Sequence, residues 1–350
     1  MPHLELMGET SPDKRLEFID DLFRHSAGRA IIGFLGRTYL AGHSIEEVLK
    51  TAEEFHRRGR NSTIDVLGER AGNRQEADQY MDAYKTIIDS VSSSYKQQDV
   101  ASISVKPTAI CAVGPDNKLL PETPLDERIE ELVDYAEKKG VKVTLDMEDI
   151  NWTGISIEAA RYIWSLGHRN FGIVLQSRLN RTQEDIRRTF NSSAYQINLK
   201  DLRARIVTGA YRESYKISTN GKAEIKERFV ERAKELFESG VYVEIATHDH
   251  AVINRLITEV IEPGIKSGKI KKDSFEFQFL KGVQNAYDID ESLIASGYKV
   301  RYYLPVELKK GDSVSYMGRR LKENPDLLSL GYKNMKDRAR NFFFSSAKAA

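Results

Sequence analysis

Residues 203–209, RARIVTG, carry the reading that decides the fold. They form a short β-like run closed by a glycine, and a helical pattern, KERFVERAKELFESG, follows. The same alternation extends in both directions. Upstream lie STIDVLGE from Ser62, ASISVKP from Ala101, VKVTLDM from Val141 and FGIVLQ from Phe171. Downstream lie VYVEIATH from Val241, FEFQFLKG from Phe275 and YKVRYYLP from Tyr298. Helical patterns such as PLDERIEELVDYAEKKG, SIEAARYIWSLG and HAVINRLITEVI stand between them. Eight alternations of strand and helix predict an α/β fold, a (β/α)8 TIM-type barrel. A doubly wound open sheet is the rival that counting alone leaves standing.

The ends of the runs favour the barrel, because that fold gathers its active site at the C-terminal ends of its strands. Those ends are polar throughout. They carry Glu69, Lys106, Asp146, Gln176, Arg205, the pair Thr247 and His248, Gln278 and Tyr303. A ring of polar groups at one mouth is costly to bury unless a ligand or mutual pairing satisfies it. Two helical patterns precede the barrel. DKRLEFIDDLFRHS has Leu16, Ile19, Leu22 and Phe23 at helical spacing, and SIEEVLKTAEEFHRRG starts at a cap, Ser44, and stops at Gly59. The expected division is an N-terminal helical segment 1–60, a barrel 61–330 with its last helix over the mouth, and a tail 331–350.

The 350 residues carry a net charge of +1 and are 40% hydrophobic, which gives no footing for nucleic acid as the main partner. One cysteine, Cys111, excludes an intramolecular disulfide and a zinc site built on several cysteines. No run of eighteen apolar residues spans a bilayer, and the N-terminus lacks a signal-peptide pattern. The expectation is a cytoplasmic protein, with peripheral contact at the inner face of the membrane left open. No G-x-G-x-x-G follows a strand and no G-x-S-x-G elbow occurs; GIKSGKI from Gly264 is one residue short of a P-loop. His248, Asp249 and His250 sit in a row, but neighbours on a strand face opposite ways, so no metal is expected.

One helical stretch, SVSYMGRRLKEN at 313–324, has an unexpected stripe. Tyr316, Arg319, Arg320 and Glu323 stand at i, i+3, i+4 and i+7, one helical face. Paired arginine forks suit a carboxylate. Lys106 is either a Schiff-base nucleophile or a fixed charge for a substrate anion. The arginine pair favours the second, with Asp146 and Glu69 as balancing carboxylates.

With these residues in place, the sequence from about Asn61 to about Leu328 resembles the proline dehydrogenase family. YMGRRLKEN is similar to its substrate-binding helix, which implies Tyr316 on the proline ring, Arg319 and Arg320 on the carboxylate and Glu323 on the flavin. DVLGE implies a gate between Glu69 and Arg319, SVKPT places Lys106 on the substrate carboxylate, and LDMED supplies the active-site Asp146. VLQ gives Gln176 to the flavin. RIVTGAY implies Arg205 near flavin N5, Val207, Gly209 and Ala210 on the flavin, and Tyr211 near the substrate. ATHD gives Thr247 and His248 to the pyrophosphate and adenosine side, and Tyr303 sits beside proline C4. The family pattern has lysine where Thr208 stands, and tryptophan or lysine in place of Arg212.

The resemblance implies non-covalent FAD and hydride transfer from L-proline to flavin N5. The product is Δ1-pyrroline-5-carboxylate, on the way to glutamate, and electrons pass to a quinone-type acceptor. Tyr303 crowds a 4-hydroxyl, so proline is expected over hydroxyproline. A hydroxyproline or other cyclic imino acid dehydrogenase and a Schiff-base lyase through Lys106 are the alternatives. Without an aldehyde dehydrogenase module or a ribbon-helix-helix segment, the chain is similar to the monofunctional bacterial or archaeal form. In the tail, Phe342, Phe343 and Phe344 beside basic residues either pack on the protein or touch an anionic membrane.

Overall fold

A computed structural model describes residues 24–25, 36–95, 100–190, 199–211 and 213–323, without the side chains of 284, 315 and 319–323. Two compact units result. Ala41–Leu308 is one, and Met1–Leu40 with Lys309–Ala350 is the other.

The larger unit is a closed barrel of eight parallel strands in sequence order. These are β1 (Asn61–Val66), β2 (Ala101–Val105), β3 (Val143–Leu145), β4 (Phe171–Gln176), β5 (Arg203–Val207), β6 (Tyr242–Ala246), β7 (Phe275–Leu280) and β8 (Lys299–Val306). The barrel closes where β1 pairs with β8, Thr63 opposite Tyr303. All eight expected runs are strands, and the open sheet is ruled out. β3 keeps only three residues of its seven-residue run.

Helices cover the outside. The first is α1 (Ile45–His56), whose N-cap Ser44 accepts from Glu47 N and which buries Val48 and Ala52. After β1 comes α2 (Arg74–Ser94), capped by Asn73; after β2, α3 (Leu125–Lys138). Next, α4 (Ile150–Ser165) starts six residues before the pattern SIEAARYIWSLG does, because Asp149 accepts from Asn151 N at its N-cap. Further on come α5 (Thr182–Phe190) and α6 (Lys222–Ser239). The layer ends with α7, which begins as His250–Arg255 and runs through a π turn at Leu256–Ile261, and with α8 (Asp290–Ala295).

Strand side chains alternate between two environments, as a period of two demands. Ile64, Val66, Ile103, Val105, Ile173, Ile206, Ile245 and Phe277 join the apolar core with helix residues such as Leu132, Ile163 and Leu236. Many of the intervening residues are polar, and several bond across the lumen between strands that are not neighbours. Arg205 on β5 reaches Ser104 on β2 at 3.0 Å, and Arg203 on β5 reaches Thr144 on β3 at 3.2 Å. Barrels of this class usually fill the lumen with branched apolar side chains. This one places ion pairs there, beside small and apolar residues such as Gly172 and Val174 on β4.

The smaller unit contributes a turn at Gly36–Tyr39 and α9 (Asp312–Glu323). Within it, Gly36 lies so close to Met317 that an added Cβ would sit 2.6 Å from Met317 Cγ. The expected helix over Leu16–Phe23 and the Phe342–Phe344 tail lie outside the described residues.

Candidate active site

The lumen charges balance by name: Lys106, Arg203, Arg205 and Arg301 against Asp65, Asp146, Glu244 and Glu276. In the lower layer, Arg301 binds Glu276 at 2.6 Å, and Gln278 Nε2 donates to both Glu276 at 2.6 Å and Glu244 at 2.8 Å. Glu244 also takes Arg203 at 2.8 Å and Arg205 at 3.2 Å. Burial alone would raise the Glu244 carboxyl, but Arg203, Arg205 and Arg301 overrule it and hold it down at about 2. Each buried charge thus faces a partner, which offsets a desolvation cost of several kcal/mol per ion.

The upper layer stands at the strand ends. Arg205 Nη1 donates to Asp146 Oδ1 at 2.9 Å, and Tyr303 OH donates to Asp146 Oδ2 at 2.6 Å. The Arg205 guanidinium lies 5.7 Å from the centre of the Tyr303 ring. These three, expected separately at strands five, three and eight, form one constellation. Burial works against the charge on Arg205, yet Glu244 and Asp146 outweigh it and keep the guanidinium protonated.

Lys106 Nζ donates to Asp65 Oδ1 beside this group. Burial opposes its charge too, but Asp65 and Asp146 raise its pKa above the ordinary lysine value. Burial conversely pushes Asp65 up, even with Lys106 beside it. The sequence reading gave Lys106 Asp146 and Glu69 as counter-charges and missed Asp65, the direct partner. The signal was present: Asp65 stands two residues after Thr63 and four before Glu69, on the lumen parity of β1.

The loops above the strands form a second circuit. Glu148, after β3, accepts from Thr108 N at 3.0 Å and from Thr108 Oγ1 at 2.8 Å. Thr108 Oγ1 accepts in turn from Arg70 N at 3.1 Å, next to Glu69. Burial, then the nearby Glu69 carboxylate, pushes Glu148 up to about 7. Its carbonyl oxygen accepts from Gln176 Nε2 at 2.7 Å, which orients that amide. Glu148 was not singled out from sequence.

Gln176 Oε1 and Arg205 Nη2 are among the buried polar atoms with no hydrogen-bond partner among the described residues, as is Asp65 Oδ2. Gly209 lies against Gln176 at φ +105°, where a Cβ would come within 2.6 Å of Gln176 Oε1. Val207, Gly209, Ala210 and Tyr211 run on from β5 and are half-buried. Across the mouth, Thr247 is buried at the end of β6, and His248 Nε2 accepts from Leu280 N at 2.9 Å. That bond places the proton of a neutral imidazole on Nδ1. Glu323 aside, the residues expected for the flavin stand on two sides of one mouth, with an oriented acceptor and a buried cationic donor left for a polar heterocycle. The residues fit such a cofactor.

Tyr316 lies on α9 and near enough to Tyr39 to raise that phenol's pKa, behind the larger effect of burial. Arg319, Arg320 and Glu323 are also on α9, but their side chains lie outside the described residues. No cluster of metal-binding side chains occurs among the described residues.

Comparison with known proteins agrees with this geometry. The proline dehydrogenase family model matches residues 48–330. Proline dehydrogenase 1 of Bacillus subtilis strain 168 is 31% identical over 294 residues, covering 83% of this chain and 86% of its own. The proline dehydrogenase of Deinococcus radiodurans is 28% identical over 294 residues with the same coverage. Proline utilization A (PutA) from Bdellovibrio bacteriovorus, solved after inactivation by N-propargylglycine, shares the fold. Its TM-score is 0.71 at 23% identity, over 83% of this chain and 32% of that longer one. The chain belongs to the proline dehydrogenase family.

Proposed function

We propose that the protein oxidises L-proline to Δ1-pyrroline-5-carboxylate with non-covalent FAD, the first step of proline catabolism to glutamate, and passes the electrons to a quinone-type acceptor. The observation that carries this reading is the Arg205–Asp146–Tyr303 constellation beside two buried, unpartnered polar atoms, Arg205 Nη2 and Gln176 Oε1. Bound FAD supplies a two-electron acceptor for the hydride leaving proline C5.

The residues proposed to hold it are Gln176, Arg205, Val207, Gly209, Ala210, Thr247, His248 and Glu323. Arg205 keeps a permanent positive charge in a dry site, where it stabilises negative charge at the cofactor edge. Asp146, held by two donors, fixes the Tyr303 hydroxyl and with it the wall facing the proline ring. Tyr211 is assigned to the substrate side, and the resemblance of YMGRRLKEN alone assigns Tyr316 to the proline ring and Arg319 and Arg320 to its carboxylate. The same resemblance assigns Glu69 and Arg319 to a gate that would exclude water.

Lys106 favours this reading over a Schiff-base lyase. A lysine nucleophile must be neutral. Lys106 is ion-paired with Asp65 and held protonated, so it serves as a fixed charge for the substrate carboxylate. No helix among the described residues is long and apolar enough to cross a membrane. The test is turnover of L-proline with a dye acceptor, with the imine product trapped by o-aminobenzaldehyde. Adduct formation supports the reading; borohydride-trapped substrate on Lys106 contradicts it.

A further inference from the structure

A half-buried arginine that the mechanism does not use stands at a hub of hydrogen bonds. Arg178 follows β4 and meets the loop after β5 at almost every polar atom it has. Its Nη1 donates to the carbonyl oxygens of Gly209 at 3.3 Å and Tyr211 at 3.1 Å. Its Nε and Nη2 donate to Thr219 O, both at 3.4 Å, and Nη2 also donates to Asn220 Oδ1. The backbone repeats the pattern, with Arg178 N donating to Thr208 O at 3.2 Å and Thr219 N donating to Arg178 O at 3.0 Å. Both ends of the loop therefore close on this one residue. Its stem packs on the loop as well, since a Cβ on Gly209 would lie 2.9 Å from Arg178 Cδ.

We propose that Arg178 is a positioning residue for the cofactor, acting through the Gly209–Tyr211 segment. The chemistry follows from the peptide group. A trans peptide points its C=O and N–H in opposite directions. With the Gly209 carbonyl fixed on Arg178, the Ala210 N–H faces the opposite side, so the clamp aims a main-chain donor. A planar fork is suited to this task, because one guanidinium reaches three carbonyls and a side-chain amide at fixed angles, which an ammonium does not. The positive charge beside these carbonyls also adds to the potential that Arg205 sets. This inference rests on the flavin reading above, and it assigns a role to a residue outside the proposed substrate-binding and flavin-binding sets.

The test uses the full chain with Arg178→Met and Arg178→Lys. One arm follows amide hydrogen exchange of the loop peptides from Gly209 to Asn220, which needs no flavin. Arg178→Met should lose protection there while the barrel strands keep theirs. The other arm measures FAD affinity by fluorescence on flavin-stripped protein. Both variants should bind FAD about tenfold or more weaker, the equivalent of one lost charged hydrogen bond. Once saturated with FAD, their KM for proline should rise far less than that of Arg320→Met, the remaining change coming from Tyr211, whose carbonyl Arg178 also holds. Restoration by lysine would show that charge alone acts and would overturn the fork argument. Folded Arg178→Met with unchanged loop exchange overturns the clamp, and with unchanged FAD affinity it overturns the cofactor role. If Arg178→Met does not fold, Asn220→Ala, which removes one partner, should raise the FAD dissociation constant about twofold to fivefold; no change would count against the proposal. Wild-type protein that takes up no FAD sinks the functional reading, while the exchange arm still decides the clamp.

Discussion

Replacing Glu244 by glutamine tests the lumen network. The substitution keeps size and shape but removes one of the four paired lumen carboxylates, so Arg203 and Arg205 lose their shared counter-ion. The new amide presents one acceptor and one NH2, so one of the two guanidiniums meets a donor. Gln278, which donates to the same carboxylate at 2.8 Å, competes for what remains. Removing one partner of a buried ion pair costs about 3–5 kcal/mol. With an unfolding entropy of about 0.7 kcal/mol/K for a chain of this length, the melting temperature should fall by about 4–7 °C. The effect has a pH signature. Glu244 is held at about 2 in the folded protein, below its ordinary 4.5. A carboxyl depressed on folding contributes stability above its unfolded pKa and loses it as pH falls toward the folded one. The gap between wild type and Glu244→Gln should therefore be full at pH 7 and close between pH 5 and pH 2. Calorimetry at both ends of that range decides. A variant that melts within 1 °C of wild type at pH 7 refutes the view that the lumen depends on charge balance.

Glu148 should act in the opposite sense. Its folded pKa is raised from 4.5 to about 7, so the wild type loses stability as pH rises through that interval. The loss is at most about 3 kcal/mol, and urea unfolding at pH 5 and pH 8 should show a flatter profile for Glu148→Gln; parallel profiles would contradict this. Gly209→Ala forces a side chain into φ +105° and against Gln176, so it should cost about 1–3 kcal/mol and weaken FAD binding, read by melting and by flavin retention on a column. Arg320→Met should raise the KM for proline by orders of magnitude while FAD stays bound; loss of flavin would mean that Arg320 serves the cofactor instead.

Much of the fold was legible because the eight runs are short, separated by helical periodicity and polar at one end. What the sequence hid depends on closure. Arg205 and Glu244 are register partners on β5 and β6, yet nothing within RARIVTG or VYVEIATH names the other. Thr63 and Asp65, Ser102 and Ser104, Arg203 and Arg205 all show the lumen's period of two. Reading only the last polar residue of each run hid the layers beneath. The first turn of α4 escaped because Asn151, Thr153 and Gly154 are weak helix formers, and the Asp149 cap makes up for them. Arg178 escaped because its partners lie in a loop 31 to 42 residues away, and most of them are backbone carbonyls that no side-chain pattern reveals.

The central claim is that the mouth built on Arg205, Asp146 and Tyr303 oxidises proline on a bound flavin. A visible spectrum of the purified protein, recorded without oxygen before and after adding L-proline, tests it most directly. The account predicts a yellow protein that bleaches with proline. A colourless protein, or a yellow one that proline leaves unchanged, would contradict it.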